Sequence, residues 1–237
     1  MSASLVEFDR LTKRFGAVRA LTDVSFHVRS GEVLGLIGPN GAGKTTLMEC
    51  AAGLLPYDSG TIRVDGRTVL HGTSAPGIFY LPDAIAPWPS ETVRWAIDFT
   101  VGFFGGRAGA VDATIARLGL EPLLDSRIGT LSKGQRKRAM LAIGILVPHP
   151  VLLCDEPFDG LDLRQTREVG AALREHAAEG RTLLLSIHQI ADAARICDRF
   201  VLLSGGRIRG EGTVADLADR APASTPESLE EIFLALT

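Results

Sequence analysis

Apolar and polar residues alternate in short stretches through the first thirty positions, with Val24, Phe26 and Val28 on one face. A period of two predicts antiparallel strands. A second alternating stretch, Thr61-Ile62-Arg63-Val64, meets Arg67-Thr68-Val69 across Asp65-Gly66, and Asp-Gly suits the tight turn whose twist matches that of paired strands. Between them the texture changes. Val33-Leu34-Gly35-Leu36-Ile37 is apolar without alternation and leads through glycines into Lys44 and a helical stretch, the pattern of a buried strand feeding a helix. Similar runs recur at Val151–Asp155, 183–187 and 200–203, separated by helical stretches such as 164–179. Strand alternating with helix predicts a parallel α/β core.

From about residue 83 to residue 147 the strand pattern stops. Trp95, Phe99 and Phe103 fall four apart, Ser90 is placed to cap their helix, and further helical stretches follow near 111–118 and 135–146. This segment reads as a helical insertion inside the α/β core. Its aromatic stripe reads as core packing of the insertion, with a groove for a partner's helix as the alternative.

Composition narrows the class. A chain of 237 residues buries a sizeable core. Its 46% hydrophobic and 22% charged residues are ordinary for a globular protein and exclude disordered, collagen-like and coiled-coil readings. A net charge of −3 provides no global field for nucleic acid, so no nucleic-acid partner is expected. Cys50, Cys154 and Cys197 cannot all pair and lack metal-ligand spacing, which points to a reducing compartment. The start MSASLVEFDRLTKRF lacks the features of a signal peptide. The longest uncharged stretch, 139–154, contains Pro148 and Pro150 and is shorter than the roughly 20 residues of a spanning helix. The outlier is glycine, with 26 residues and no low-complexity repeat to absorb them. They are expected where backbone turns tightly or approaches a ligand.

Gly38-Pro39-Asn40-Gly41-Ala42-Gly43-Lys44-Thr45 fits G-x-x-x-x-G-K-[ST] in full, between an apolar strand and a helix. Glycines let successive N–H groups curl around phosphate oxygens, and the helix N-terminus adds a fixed positive field. Lys44 is expected to reach the β- and γ-phosphates and Thr45 to offer its hydroxyl to Mg²⁺, with Thr46 as a neighbouring hydroxyl. Asp155 ends the buried run 151–155, where open α/β sheets place their ligands, and is the expected Mg²⁺ partner. Glu156 follows it and is suited to orient or deprotonate an attacking water.

Leu131-Ser132-Lys133-Gly134-Gln135 opens a basic helix carrying Arg136, Lys137 and Arg138. Ser132 and Gln135 make an S-x-x-Q capping box, so hydroxyl, N–H groups and helix dipole converge on an anion. With these residues in this order, the chain resembles the ATP-binding cassette (ABC) transporter ATPases over nearly its whole length. Leu203-Ser204-Gly205-Gly206 spells the start of that family's signature, but its position between an apolar strand and Arg207-Ile208-Arg209 reads as a hairpin turn. The resemblance implies an α/β fold: a P-loop NTPase core with a parallel sheet, an antiparallel β subdomain and an inserted helical subdomain. It further implies one ABC ATPase domain over 1–237, with the core in 1–82 and 148–213, the helical subdomain in 83–147 and a C-terminal helical tail in 214–237.

By the same resemblance, residues 38–46 bind ATP and Phe15 stacks on adenine. Ser132, Gly134 and Gln135 face the γ-phosphate of an ATP held by a second ATPase subunit, His188 is placed as the switch histidine that contacts the γ-phosphate, and Gly160-Leu161-Asp162 crosses the interface. Asp162 is also placed to cap the following helix. The chain departs from the family's pattern in three places. Asp83 falls where a Mg²⁺-sensing glutamine is usual, and its charged, shorter arm would bind the metal directly or through water. Lys133 replaces a glycine, and Phe158-Asp159 replaces a small polar pair.

The implied function is ATP hydrolysis in a head-to-tail dimer of ATPase subunits, homo- or heterodimeric, that closes on ATP and drives a polytopic membrane permease. The expected location is cytoplasmic, peripheral on the cytoplasmic face of the cell membrane. The closing segment 228–237 resembles that of bacterial exporters of drugs, lipids or polysaccharides. It also reads as an amphipathic helix capped by Ser228 with Glu231 three residues on. A soluble ABC ATPase acting without a membrane partner is the competing class.

Overall fold

The computed structural model describes residues 4–73, 75–188, 190–222 and 228–237. The first three residues of the N-terminal stretch and residues 223–227 of the tail lie outside it. In chain order the strands and helices are β1 (Ser4–Phe15), β2 (Val18–Arg29), β3 (Val33–Ile37), α1 (Lys44–Ala51), β4 (Ser59–Val64), β5 (Arg67–Thr68), β6 (Ile78–Leu81), α2 (Val93–Phe104), α3 (Val111–Arg117), α4 (Lys133–Leu146), β7 (Val151–Asp155), α5 (Leu163–Ala178), β8 (Thr182–Ile187), α6 (Ile190–Ile196), β9 (Arg199–Ser204), β10 (Arg207–Gly212), α7 (Val214–Ala218) and α8 (Leu229–Leu236).

Two sheets form. An antiparallel one runs in the order β2-β1-β4-β5, and a six-stranded one runs β10-β9-β3-β8-β7-β6. In the second sheet β6, β7, β8, β3 and β9 are parallel and β10 is antiparallel. The unbroken apolar runs follow from burial on both faces. Val33 and Ile37 face one core with Leu152, Cys154, Leu183 and Leu185, whereas Leu34 and Leu36 face another with Val151, Leu153 and Leu184. The second core is closed by the antiparallel sheet, where Phe8 stacks on Phe26 at 4.3 Å. Asp65 and Gly66 have φ 49° and 72°, the positive values a two-residue hairpin turn needs. Leu203-Ser204-Gly205-Gly206 forms the β9–β10 hairpin, as its context predicts. Cys50 and Cys154 are buried and all three cysteines are free; burial pushes the Cys50 and Cys154 thiols up to about 12.

Two local expectations fail. The cap of α2 is Thr92, whose Oγ1 accepts from the Trp95 amide at 3.1 Å, and not Ser90. Thr92 bridges Arg127 in an extended conformation and so delays the helix by two residues. The aromatic stripe is not core either: Trp95, Phe99 and Phe103 are 39%, 42% and 71% exposed. α2 buries Val93, Ala96, Ile97 and Thr100 instead. A spacing of four defines a helix face without saying which way it points.

His176 on α5 is buried with neither ring nitrogen hydrogen-bonded, and burial, followed by the field of Arg181, pulls its pKa down to about 4. In the unfolded chain a histidine titrates near 6.5. Between these values only the unfolded chain takes up the proton, so stability is lost as pH falls from about 6.5 toward about 4. Linkage puts the loss from pH 7 to pH 5 at about 2 kcal/mol. His176→Leu is expected to remove that part of the acid sensitivity. Urea unfolding of both proteins at the two pH values checks this, and equal losses would exclude the side chain as the cause.

Candidate functional site

The C-terminal ends of β3, β7 and β8 meet the start of α1 at a cleft of about 370 Å³ lined by residues 39–46 together with Val18, Arg19, Ala20, Asp83, Asp155 and Glu156. Glycine is required here by close approach. A Cβ on Gly38 would lie 2.3 Å from the Leu203 carbonyl oxygen, and one on Gly43, at φ 106°, would lie 2.5 Å from that of Ala20. The loop is thereby pressed against the β9 and β2 backbones while α1 begins at Lys44 with its first amides unsatisfied by the helix.

Two chains of contacts run from α1 across the end of β7 to the end of β8. In the first, the buried Lys44 ammonium donates to the Gly38 and Pro39 carbonyls at 2.7 and 3.4 Å and pairs with Glu156 Oε1 at 3.4 Å, while Glu156 Oε2 contacts His188 Nδ1. In the second, the Thr45 hydroxyl donates to Asp155 Oδ2 at 2.7 Å, and the Ser186 hydroxyl donates to Oδ1 of the same carboxylate. Ser186 Oγ also accepts from the Glu156 amide at 3.0 Å. Glu156 has φ 51°, a left-handed conformation uncommon for a side-chain-bearing residue, and that amide contact helps hold it there.

Hard oxygen donors at the cleft wall, Thr45 and Asp155, suit Mg²⁺, which takes one or two protein ligands and completes its shell from water and phosphate. Among the described residues no cluster of three His, Cys, Asp or Glu could cage a metal. Asp83 also borders the cleft, but its Oδ1 is held at 2.6 Å by Lys137. Phe15 is half exposed at the tip of the β1–β2 hairpin, paired in register with the cleft residue Val18, and the Lys13 ammonium lies 5.1 Å from its ring centroid.

Ser132, Gly134 and Gln135 stand apart at the start of α4 and do not line this cleft. The capping box forms in full: Ser132 Oγ accepts from the Gln135 amide at 3.3 Å, and Gln135 Oε1 accepts from the Ser132 amide at 2.9 Å. The hydroxyl proton of Ser132 stays available to an anion. Gly134 has a use inside its own chain, because a Cβ there would sit 2.6 Å from the Gly160 carbonyl oxygen. Asp162 caps α5 by the same device. The Lys133 ammonium pairs with Asp159, a hydrogen bond that lowers the aspartate pKa and raises that of the lysine.

Sequence reasoning missed the part played by Ser186 and by Lys137. For Ser186 a signal existed, a polar residue interrupting Leu183-Leu184-Leu185 and Ile187 in a strand without exposed positions. Lys137 was hidden among Arg136 and Arg138, and only the structure shows that it is 7% exposed.

A family model described as "ABC transporter" matches residues 21–159. The Nod factor export ATP-binding protein I of Burkholderia orbicola is 36% identical over 220 residues, covering 90% of this chain and 72% of that protein. An uncharacterized ABC transporter ATP-binding protein of Methanocaldococcus jannaschii is 32% identical, covering 90% and 79%. A solved structure of the ATP-binding subunit of an ABC transporter superposes with a TM-score of 0.89 at 30% identity, over 98% of this chain and 99% of that one.

Proposed function

We propose that this chain, which belongs to the ABC transporter family and is an ATPase, powers movement of a substrate through a separate membrane subunit, with export as its direction. The observation that carries the reading is the pairing of a phosphate cleft with an uncovered aromatic face. Trp88, Trp95, Phe99, Phe103 and Phe104 form a continuous set of ring contacts beside a groove of about 370 Å³. Exposed apolar patches of this kind mark interaction sites. Among the described residues no helix is long and apolar enough to cross a membrane, and the membrane path is proposed to belong to a separate subunit. Export is supported by relatives such as the Nod factor export protein of Burkholderia orbicola. The cytoplasmic face of the cell membrane is the proposed location.

In this reading Lys44 and the amides of residues 41–46 hold the phosphates of ATP, and Phe15 at the hairpin tip offers its ring to adenine. Thr45 and Asp155 would hold Mg²⁺, which would supply neutralisation of the phosphate charge. Glu156 orients water and accepts its proton, with Lys44 and His188 fixing its two oxygens. Because Ser132 lies away from the cleft of its own chain, its proposed ligand is the nucleotide of a second ATPase subunit arranged head to tail. Loss of the γ-phosphate then removes what the two subunits share, and the pair reopens.

Co-purification from detergent extract tests the membrane partner. The wild-type chain is expected to recover a polytopic membrane protein, and Phe99→Ser/Phe103→Ser to recover at least about tenfold less while keeping its ATP affinity, since these rings sit away from the cleft. Recovery of ribosomes, or of no membrane protein, would support the soluble class instead.

A further inference from the structure

Lys137 is a buried ammonium at the junction of three elements. It sits on α4, and its Nζ donates to Asp83 Oδ1 at 2.6 Å, to the Asp83 carbonyl at 3.2 Å and to the Asp155 carbonyl at 3.5 Å. Asp83 follows β6 and Asp155 ends β7, and both border the phosphate cleft and a smaller cavity of about 80 Å³ behind it. A buried ammonium is stable only when paired, so this contact is strongly specified.

The charges around the cleft then sort themselves. Of its three lining carboxylates, Glu156 is paired with Lys44 and His188, and Asp83 is paired with Lys137. Asp155 has no side-chain cation among the described residues; its two oxygens accept from the hydroxyls of Thr45 and Ser186. Glu49 on α1 feels the result, its pKa raised by burial and then by the charge of Asp155.

We propose that Lys137 is a positioning residue which holds Asp83 as a counter-ion, leaving Asp155 as the one cleft carboxylate free to hold a divalent cation. It would also tie the end of β7 to the helix whose start forms the other half-site. Asp83 then differs from the family's glutamine in kind: it is half of a Lys-Asp pair that is neutral as a unit. The inference rests on the reading of the cleft as a metal-nucleotide site, and the test separates the two.

The test is Mn²⁺ binding in the presence of ADP, followed by electron paramagnetic resonance, on the full chain and on Asp83→Asn, Lys137→Met, Lys137→Arg and the double variant Asp83→Asn/Lys137→Met. Removing the aspartate charge leaves an uncompensated ammonium near Asp155 and is expected to weaken Mn²⁺ binding at least about threefold. Removing the lysine charge leaves an uncompensated carboxylate and is expected to strengthen it by a similar factor. The double variant and Lys137→Arg are expected near wild type. Melting temperatures of the nucleotide-free proteins supply an independent reading: both single variants fall, and the double variant falls less than their sum. Shifts of Mn²⁺ affinity in the same direction for both single variants, or no shift with additive melting temperatures, would overturn the proposal. Absence of nucleotide-dependent Mn²⁺ binding in the wild type would overturn the cleft reading, and this inference with it.

Discussion

Glu156→Gln is expected to lower ATP turnover by about 10²- to 10⁴-fold, the range that proton transfer by a positioned group contributes, while ATP binding persists. Glutamine keeps the size of the side chain and its reach to Lys44 and His188, and the amide hydrogen bond to Ser186 is untouched. What is lost is the capacity to take a proton from water. Binding should be preserved because the proposed phosphate contacts come from Lys44 and the amides of residues 41–46, and loss of the Glu156 charge weakens its competing hold on Lys44. With ATP held and not cleaved, the proposed two-subunit assembly should persist. ATP-dependent dimer on size exclusion, together with phosphate release, measures both effects. Near-normal release would remove Glu156 from this role.

The second large effect is expected at Lys44. Lys44→Met should weaken ATP binding at least about 100-fold, because charge-assisted hydrogen bonds to phosphate contribute about 1.5–3 kcal/mol each and the ammonium, in the proposed reading, would make more than one. The side chain is 6% exposed and already aimed by the Gly38 and Pro39 carbonyls, so little ordering remains to be done when phosphate arrives. Methionine fills the same channel without charge, which separates lost binding from lost packing. Arginine should not rescue, since its planar fork does not fit a channel built for a point charge. Equilibrium binding of labelled ATP decides the matter; an affinity within about threefold of wild type would exclude Lys44 as a phosphate ligand.

The phosphate loop and the strands that carry it are legible in the sequence because their causes are local. A motif of eight residues sits in one loop, and β3, β7 and β8 are buried at every position and apolar at most, because both of their faces are covered. β6 was not legible: it is four residues long and its Phe79 and Tyr80 are partly exposed, so neither alternation nor an unbroken apolar run marks it. The aromatic stripe was legible as a face but not as a surface.

Pairings between distant residues were the least accessible. Lys133 and Asp159 each look anomalous alone, as do Asp83 and its surroundings, yet the structure joins Lys133 to Asp159 and Asp83 to Lys137. The two lysines lie one helical turn apart on α4, and each answers an acid from a different loop. Most of the departures from the family's pattern are thus halves of two ion pairs, a relation that no local signal in the chain contains.

The exposed ladder from Trp88 to Phe104 also bears on how much of this protein a cell can hold. A chain made in excess of whatever covers that face displays five large aromatic rings to solvent, the kind of surface that chaperones retain and proteases sample. Supply of the covering partner would therefore set the steady-state level of the subunit. In the proposed assembly, clearance of the surplus would draw the level of this chain toward that of its partner.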